Sequence, residues 1–448
     1  MGNRNTACQF PAARPAKYAR HAGQPGQAIA AAKRIVLKLL GNYRGAVAVR
    51  LWNGETIIGE PAAGCTLVFN QPQALRSLIT NRDLARLTED HLSGGIDVEG
   101  DMVSLFNLGE FLKQEKWPLK QRLAMLWDAW RLPTNLQHDD THALRAKPEA
   151  RKNSRASIAH HYDVSNDFYR LWLDPEMVYS CAYFQNGAQT LATAQQNKLD
   201  YICRKLRLQP EHKLLDTGCG WGALVRWAAR HYGVTAHGIT LSKEQYDYAH
   251  QRIINEGLEH LVTIELRDYR NLPAEIKYDR IVSVGMFEHI GVENFDEYFN
   301  TVKHLLKPGG LFLNHGITNE TGWLDTPITR FINRYIFPDG ELARISDVSH
   351  AMQKAGFELL DVESLRRHYA LTLRHWVKAL EANKTRAIQA ASDKIYRLWR
   401  LYMAGAAYYF EQGGLNVYQV LVGHIGKPLP LPLQRDDLYR KPLPGADP

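Results

Sequence analysis

Across the second half of the chain, short apolar runs alternate with longer stretches whose apolar residues recur at helical spacing. Residues 213–216, 234–239, 262–266, 279–284 and 310–314 predict strands, and the segments between them predict helices. This alternation predicts an α/β fold built on a doubly wound parallel sheet, in which ligands sit at the carboxyl ends of the strands. The first half carries weaker periodicity. Residues 46–52 and 65–69 predict strands, Asn53-Gly54 a turn into a strand at 56–58, and 73–87 a helix. Gly94 to Gly100 returns to a strand and turn. No internal repeat is visible.

The pattern divides the chain. Residues 1–27, rich in Gly, Pro, Ala and Arg, predict a flexible basic arm, and 28–134 a smaller α+β domain. A charged stretch at 135–154 with few large apolar residues predicts a linker, 155–425 a catalytic domain, and 426–448 a Pro-rich tail. With 448 residues, 45% hydrophobic and 23% charged, the chain is globular and long enough for two cores.

Charge adds a partner class. The formal net charge is +8, and no Asp or Glu precedes Glu55, whereas Arg4, Arg14, Lys17, Arg20, Lys33, Arg34, Lys38, Arg44 and Arg50 do. Such an excess suits nucleic acid or an anionic lipid surface; no nucleic-acid motif is present, so the arm is expected to be drawn to a negative membrane. Residues 28–40 are broken by Lys33, Arg34 and Lys38, and no uncharged apolar run approaches spanning length. The five cysteines are odd in number, widely spaced and free of CxxC pairs, which predicts neither a zinc site nor disulfides and fits a reducing cytosol. The opening Met-Gly-Asn-Arg-Asn-Thr matches the short myristoylation pattern, a match taken as chance.

The richest chemistry follows the strand at 213–216. Gly218, Gly220 and Gly222, with Cys219 inside the turn, permit tight turning and close approach to a ligand at a helix N-terminus. Asp216 sits badly beside a pyrophosphate and well beside a cationic amino group, so the turn fits S-adenosylmethionine (SAM) better than a dinucleotide. The acid that commonly holds ribose hydroxyls after the second strand is missing. Thr240, Ser242 and Gln245 stand there, either as ribose contacts or as a helix cap with its capping-box partner. Asp268 and Tyr269 follow the third strand, where adenine contacts or a plain polar loop are equally consistent.

Three segments join this turn: His161-Tyr-Asp-Val-Ser-Asn-Asp-Phe168 with Tyr179-Ser-Cys-Ala-Tyr-Phe184, Gly285-Met-Phe-Glu-His-Ile-Gly291, and Leu313-Asn-His-Gly-Ile317. Together, over about residues 160–422, the chain resembles cyclopropane-fatty-acyl-phospholipid synthases and the related mycolic-acid cyclopropane synthases. The resemblance implies a Rossmann-like class I SAM-dependent methyltransferase that adds a methylene across a cis double bond of an acyl chain. It implies a bound bicarbonate as base, held by Cys181, Glu288, His315, the Ile317 backbone N–H and Tyr369, with Tyr179 and Ser180 touching SAM. His289 is expected to be structural. Some relatives carry a cysteine in the C-terminal helix; residues 401–410 have none, which excludes covalent catalysis from that place, and Cys203 does not replace it. The N-terminal part faintly resembles sterol-carrier-type lipid-binding domains, with an unrelated α+β module left open.

The implied substrate is an unsaturated phospholipid in the bilayer surface, with the protein cytoplasmic and peripheral on the inner face of the membrane; a homodimer stays open. Phe168, Tyr169, Leu171 and Trp172 are expected either to line an acyl channel or to pack as helix core. Residues 322–336 mix aromatic, aliphatic and basic positions, which suits a membrane surface, favoured here, or a domain interface. Two rival readings are methylation without ring closure, giving a methyl-branched or methylene chain, and a non-catalytic lipid-binding protein.

Overall fold

The computed structural model describes residues 25–60, 63–80, 84–134, 165–338 and 340–440. Most of the predicted arm, the predicted linker, the His161-Tyr-Asp-Val part of the first motif and the last residues of the tail lie outside these.

Helix Pro25–Leu40 starts inside the predicted arm. A proline in the first helical turn lacks only an N–H that has no helical partner, so it starts the helix where it reads as a breaker. Strands β1 (Val47–Arg50), β2 (Thr56–Ile58), β3 (Cys65–Phe69) and β4 (Ile96–Gly100) form a sheet in the order β2-β1-β3-β4. β1 and β3 run parallel, the other pairs antiparallel. Val47, Val49, Cys65 and Phe69 join Ile35 and Val36 of the first helix in one apolar cluster. The helix predicted over 73–87 is two, Pro72–Thr80 and Leu84–Leu92.

The second sheet holds β5 (Lys213–Asp216), β6 (Thr235–Thr240), β7 (Val262–Leu266), β8 (Tyr278–Val284), β9 (Leu306–Asn319), β10 (Phe357–Ser364) and β11 (Leu415–His424). Its order is β10-β11-β9-β8-β5-β6-β7. The five predicted strands are present and parallel to one another. The doubly wound parallel sheet is extended at one edge by β11, which lies antiparallel between β9 and β10. Neither β10 nor β11 was legible beforehand: β10 alternates irregularly between buried and exposed, and β11 is an apolar run interrupted by Gln419. Pairing of Asp216 with Val282 and of Val284 with His315 brings the ends of β5, β8 and β9 to one edge.

The two sheets are joined by helix Asp393–Gln412, which packs against helix Met102–Gln114. Arg400, 7% exposed, donates to the carbonyls of Val98 at 2.7 Å and Gly100 at 2.9 Å, closing the end of β4. Arg397 pairs with Asp97 at 3.1 Å. Buried apolar residues of both parts form one cluster. The predicted tail is partly folded: helix Asp437–Arg440 buries Leu438, whose carbonyl accepts from Arg204.

Candidate active site

β5 ends in Asp216, which is buried, and burial pushes its carboxyl up to about 7. The Gly218 N–H donates to its Oδ1 at 3.2 Å. Gly222 has φ of +81°, and a Cβ there would stand 2.9 Å from the Ala249 Cβ, so both backbone sterics and the packed helix Lys243–Asn255 require glycine. The Cys219 N–H donates to the Ile239 carbonyl at 2.9 Å, tying the turn to β6. Burial raises the Cys219 thiol far above its ordinary value, leaving it neutral and unreactive. Gly220 sits in the left-handed region between these anchors.

After β6, Ser242 caps helix Lys243–Asn255 by accepting from the Gln245 N–H at 3.3 Å. Thr240 Oγ1 donates to Gln245 Oε1 at 2.7 Å, so the three residues form one hydrogen-bonded unit at the strand end. Asp268 caps the turn Tyr269–Asn271 and pairs with Arg270 at 2.7 Å, while Tyr269 stands edge-on to Tyr298.

Glu288 and His315, expected at the reacting end, lie on the turn Phe287–His289 and on β9. Glu288 is buried; its Oε1 accepts from the Ile317 N–H at 2.7 Å, and its Oε2 has no hydrogen-bond partner among the described residues. Burial raises this carboxyl to about 7. Ile317 thus enters the site by seating Glu288. His315 is held by the Gln419 amide, which donates to Nδ1 at 3.2 Å, so the imidazole proton belongs on Nε2. Burial, with the charges of Lys198 and Lys205, keeps the ring neutral. His315 Nε2 also has no partner among the described residues. Gly316 passes against Phe287, where a Cβ would overlap the ring at 1.7 Å.

Cys181 is fully buried, its Sγ donating to the Ala182 carbonyl at 3.3 Å, and burial pushes the thiol up, so it is a neutral wall rather than a nucleophile. Tyr369 comes from helix Arg366–Ala382, its ring 4.7 Å from that of Phe410. His289 is half-buried, with desolvation lowering its pKa to about 4, and its ring stands edge-on to Phe337.

Three polar residues were missed. Lys198 lies on helix Leu191–Lys205, is 2% exposed, and donates to Ser180 Oγ at 2.8 Å; burial pulls its pKa down to about 8. Gln195 on the same face donates to the Ser180 carbonyl at 2.9 Å. A lysine in a helix is ordinarily solvent-facing, so nothing in its local sequence set it apart. Gln419 left a fainter signal, as the lone polar residue within an apolar run.

Cys181, Glu288, His315, Ile317, Tyr369, Tyr179 and Ser180 line one cavity of about 670 Å³. Asp216, Gly218, Cys219, Gly220, Gly222, Thr240, Ser242, Gln245, Asp268 and Tyr269 lie outside that lining, along the adjoining carboxyl edge of β5, β6 and β7. The cavity continues past helix Asp393–Gln412 to Phe69 and Val98 of the N-terminal sheet and Leu105 of the next helix. Its far walls are apolar. Residues 322–336 form part of it: helix Pro327–Tyr335 packs Phe331, Ile332 and Tyr335 with Leu92 and Leu398, so one side of the segment is an interface, while Leu324 stays exposed. Phe168, Tyr169 and Trp172 pack with Tyr179, Trp376 and Trp399 as core and leave the cavity to others.

Residues 149–420 match the family model described as mycolic acid cyclopropane synthetase. A Pseudomonas putida protein named probable fatty acid methyltransferase is 40% identical over 403 residues, covering 88% of this chain and 96% of that protein. The Escherichia coli cyclopropane-fatty-acyl-phospholipid synthase is 40% identical over 261 residues, 58% of this chain and 66% of that one. The solved structure of mycolic acid cyclopropane synthase CmaA1 complexed with SAH and CTAB matches with a TM-score of 0.57 and 39% identity, over 60% of this chain and 97% of that chain. The strand order, the glycine turn and these matches lead to one conclusion: the chain belongs to the mycolic acid cyclopropane synthetase family and is an enzyme of the class I SAM-dependent methyltransferase fold.

Proposed function

We propose that this enzyme transfers a methylene from SAM to the cis double bond of an unsaturated acyl chain in a membrane phospholipid, closing a cyclopropane ring. One observation carries the reading. At one end of an apolar cavity, a buried donor, His315 Nε2–H, and a buried acceptor, Glu288 Oε2, both lack partners among the described residues. Such a pair is costly unless a small polar group satisfies it, and a hydrogencarbonate anion offers both an acceptor oxygen and a hydroxyl. SAM supplies an electrophilic methyl and bicarbonate a base for the proton that methyl must lose.

The protein's own groups divide the remaining work. The glycine turn admits a cofactor backbone-close, Asp216 provides negative charge for its cationic end, and Lys198 holds the Ser180 hydroxyl. An isolated alkene is a weak nucleophile, so the apolar walls must align it with the methyl and exclude water that would trap the resulting cation. Tyr369 and Tyr179 present aromatic faces that favour positive charge. His315 and Glu288 orient the base, with the Ile317 N–H fixing the Glu288 carboxyl. Cys181 closes the site as a neutral thiol.

The name of the Escherichia coli relative supports a phospholipid substrate. Residues 28–134 are assigned as a lipid-associated part and 155–425 as the catalytic part, joined by 135–154. On this reading the enzyme sits peripherally at the cytoplasmic face of the membrane; no helix among the described residues is long and apolar enough to cross one. A second reading, methylation without ring closure, is favoured by the name of the Pseudomonas putida relative. The non-catalytic reading falls with membership of an enzyme class.

Purified protein with SAM and vesicles of monounsaturated phospholipid tests this. The expected product gains one CH₂ and loses its alkene protons by NMR; retained alkene protons would sink ring closure. Turnover unchanged after rigorous bicarbonate removal would remove the base assignment.

A further inference from the structure

Helix Leu119–Trp130 buries Met125, Asp128 and Ala129 against the N-terminal core. Its other side is unusual for a surface helix. Leu119, Leu123, Trp127 and Trp130, at helical spacing, are 68%, 57%, 59% and 67% exposed. Leu37, 52% exposed, lies on the neighbouring helix Pro25–Leu40, whose Arg34 and Lys38 reach Asp128. Four large apolar side chains along one exposed stripe form a patch that a soluble surface ordinarily avoids.

Within residues 116–131 every exposed charge has one sign. Lys116, Lys120, Arg122 and Arg131 are all exposed. The helix's acid, Asp128, is 3% exposed and neutralised from beneath by Arg34 at 2.7 Å and Lys38 at 3.1 Å. The Arg131 guanidinium lies 5.2 Å over the Trp127 ring. Residues 115–118 connect this helix directly to Met102–Gln114, whose Phe106, Leu112 and Lys113 line the cavity. An amphipathic helix with Trp and Leu on one side and a cationic rim matches the chemistry of an anionic bilayer interface, where Trp settles at headgroup depth. A second protein copy would bring the same cations to itself.

We propose that the face formed by Leu119, Leu123, Trp127 and Trp130 docks this enzyme on an anionic phospholipid bilayer, with the Lys113 end of the cavity beside the lipid. The inference rests on the phospholipid reading above and names the surface that reading requires.

The test uses the full chain with vesicles of phosphatidylglycerol and phosphatidylethanolamine, and with phosphatidylcholine alone for comparison. Wild type is expected to co-sediment with the anionic vesicles with blue-shifted tryptophan emission, and binding falls as salt rises. Leu123→Glu with Trp127→Glu is expected to weaken that binding at least about tenfold, and Lys120→Glu with Arg122→Glu to weaken it similarly on anionic vesicles only. SAH binding by calorimetry and turnover of a detergent-dispersed unsaturated acyl substrate stay at wild-type level, which separates docking from folding. Vesicle binding that survives both double variants overturns the proposal, as does a wild-type dimer that becomes monomeric in Leu123→Glu with Trp127→Glu while still binding vesicles. If wild type turns over no acyl substrate in any form yet loses vesicle binding in these variants, the phospholipid reaction fails and the docking surface stands.

Discussion

Glu288 offers the sharpest test of the site, because its burial makes a stability statement independent of turnover. Its carboxyl is raised from an ordinary 4.5 to about 7, chiefly by burial, with the Ile317 N–H opposing. A folded-state pKa above the unfolded one means the native state holds the proton more tightly. The contribution of the neutral form is therefore fully present below the unfolded value and is lost as pH rises through the folded one. At about 1.4 kcal/mol per unit, the loss amounts to about 3 kcal/mol. Glu288→Gln keeps an oxygen for the Ile317 N–H and removes the ionisable proton. The difference in unfolding free energy, variant minus wild type, should thus rise by about 3 kcal/mol between about pH 4.5 and pH 8, whatever its fixed offset. Equilibrium urea unfolding at a series of pH values in bicarbonate-free buffer measures it, since all other titrating groups cancel in the subtraction. A difference that is flat with pH, or that falls as pH rises, refutes the buried high-pKa carboxyl and with it the acceptor assigned to Glu288.

Gly222→Ala forces a Cβ to within 2.9 Å of Ala249 at φ of +81°. It should cost about 2 kcal/mol in unfolding free energy and abolish SAH binding, checked by melting with and without SAH. Lys198→Met removes the cation that holds Ser180 Oγ at 2.8 Å, and SAH affinity by calorimetry should fall about tenfold; unchanged affinity would make Lys198 purely structural. Leu105→Trp, in the N-terminal wall of the cavity, should lower kcat/KM for long acyl chains about tenfold relative to short ones while leaving SAH binding intact. Equal loss for both lengths would mean that the acyl chain does not reach Leu105.

Much of the candidate site was legible because its signals are local. A strand running into Asp216, a turn with glycines at positive φ and a helix start are contiguous in sequence, and each reflects a backbone conformation that few residues permit. Cys181, Glu288, His315 and Tyr369 came from short motifs, and the fold brings all four to one cavity. Ser242 and Gln245 illustrate a pattern with two consistent readings, of which the cap is realised in the hydrogen bonds. Segment 322–336 shows the limit of periodicity: an amphipathic helix announces an apolar face, and only its neighbours decide whether lipid or protein covers it.

The sequence by itself therefore determined the strand and helix alternation, the glycine turn and the chemical types at the candidate site. Tertiary structure alone decided what depends on residues far apart in the chain. His315 owes its tautomer to Gln419 on an antiparallel strand, and Ser180 owes its position to a lysine whose burial no local pattern announces. The cavity runs from Phe69 to Val417, so its depth depends on how two sheets pack across one helix. Backbone preference is encoded within a few neighbouring residues, whereas burial, desolvation and the filling of space arise only when distant segments meet.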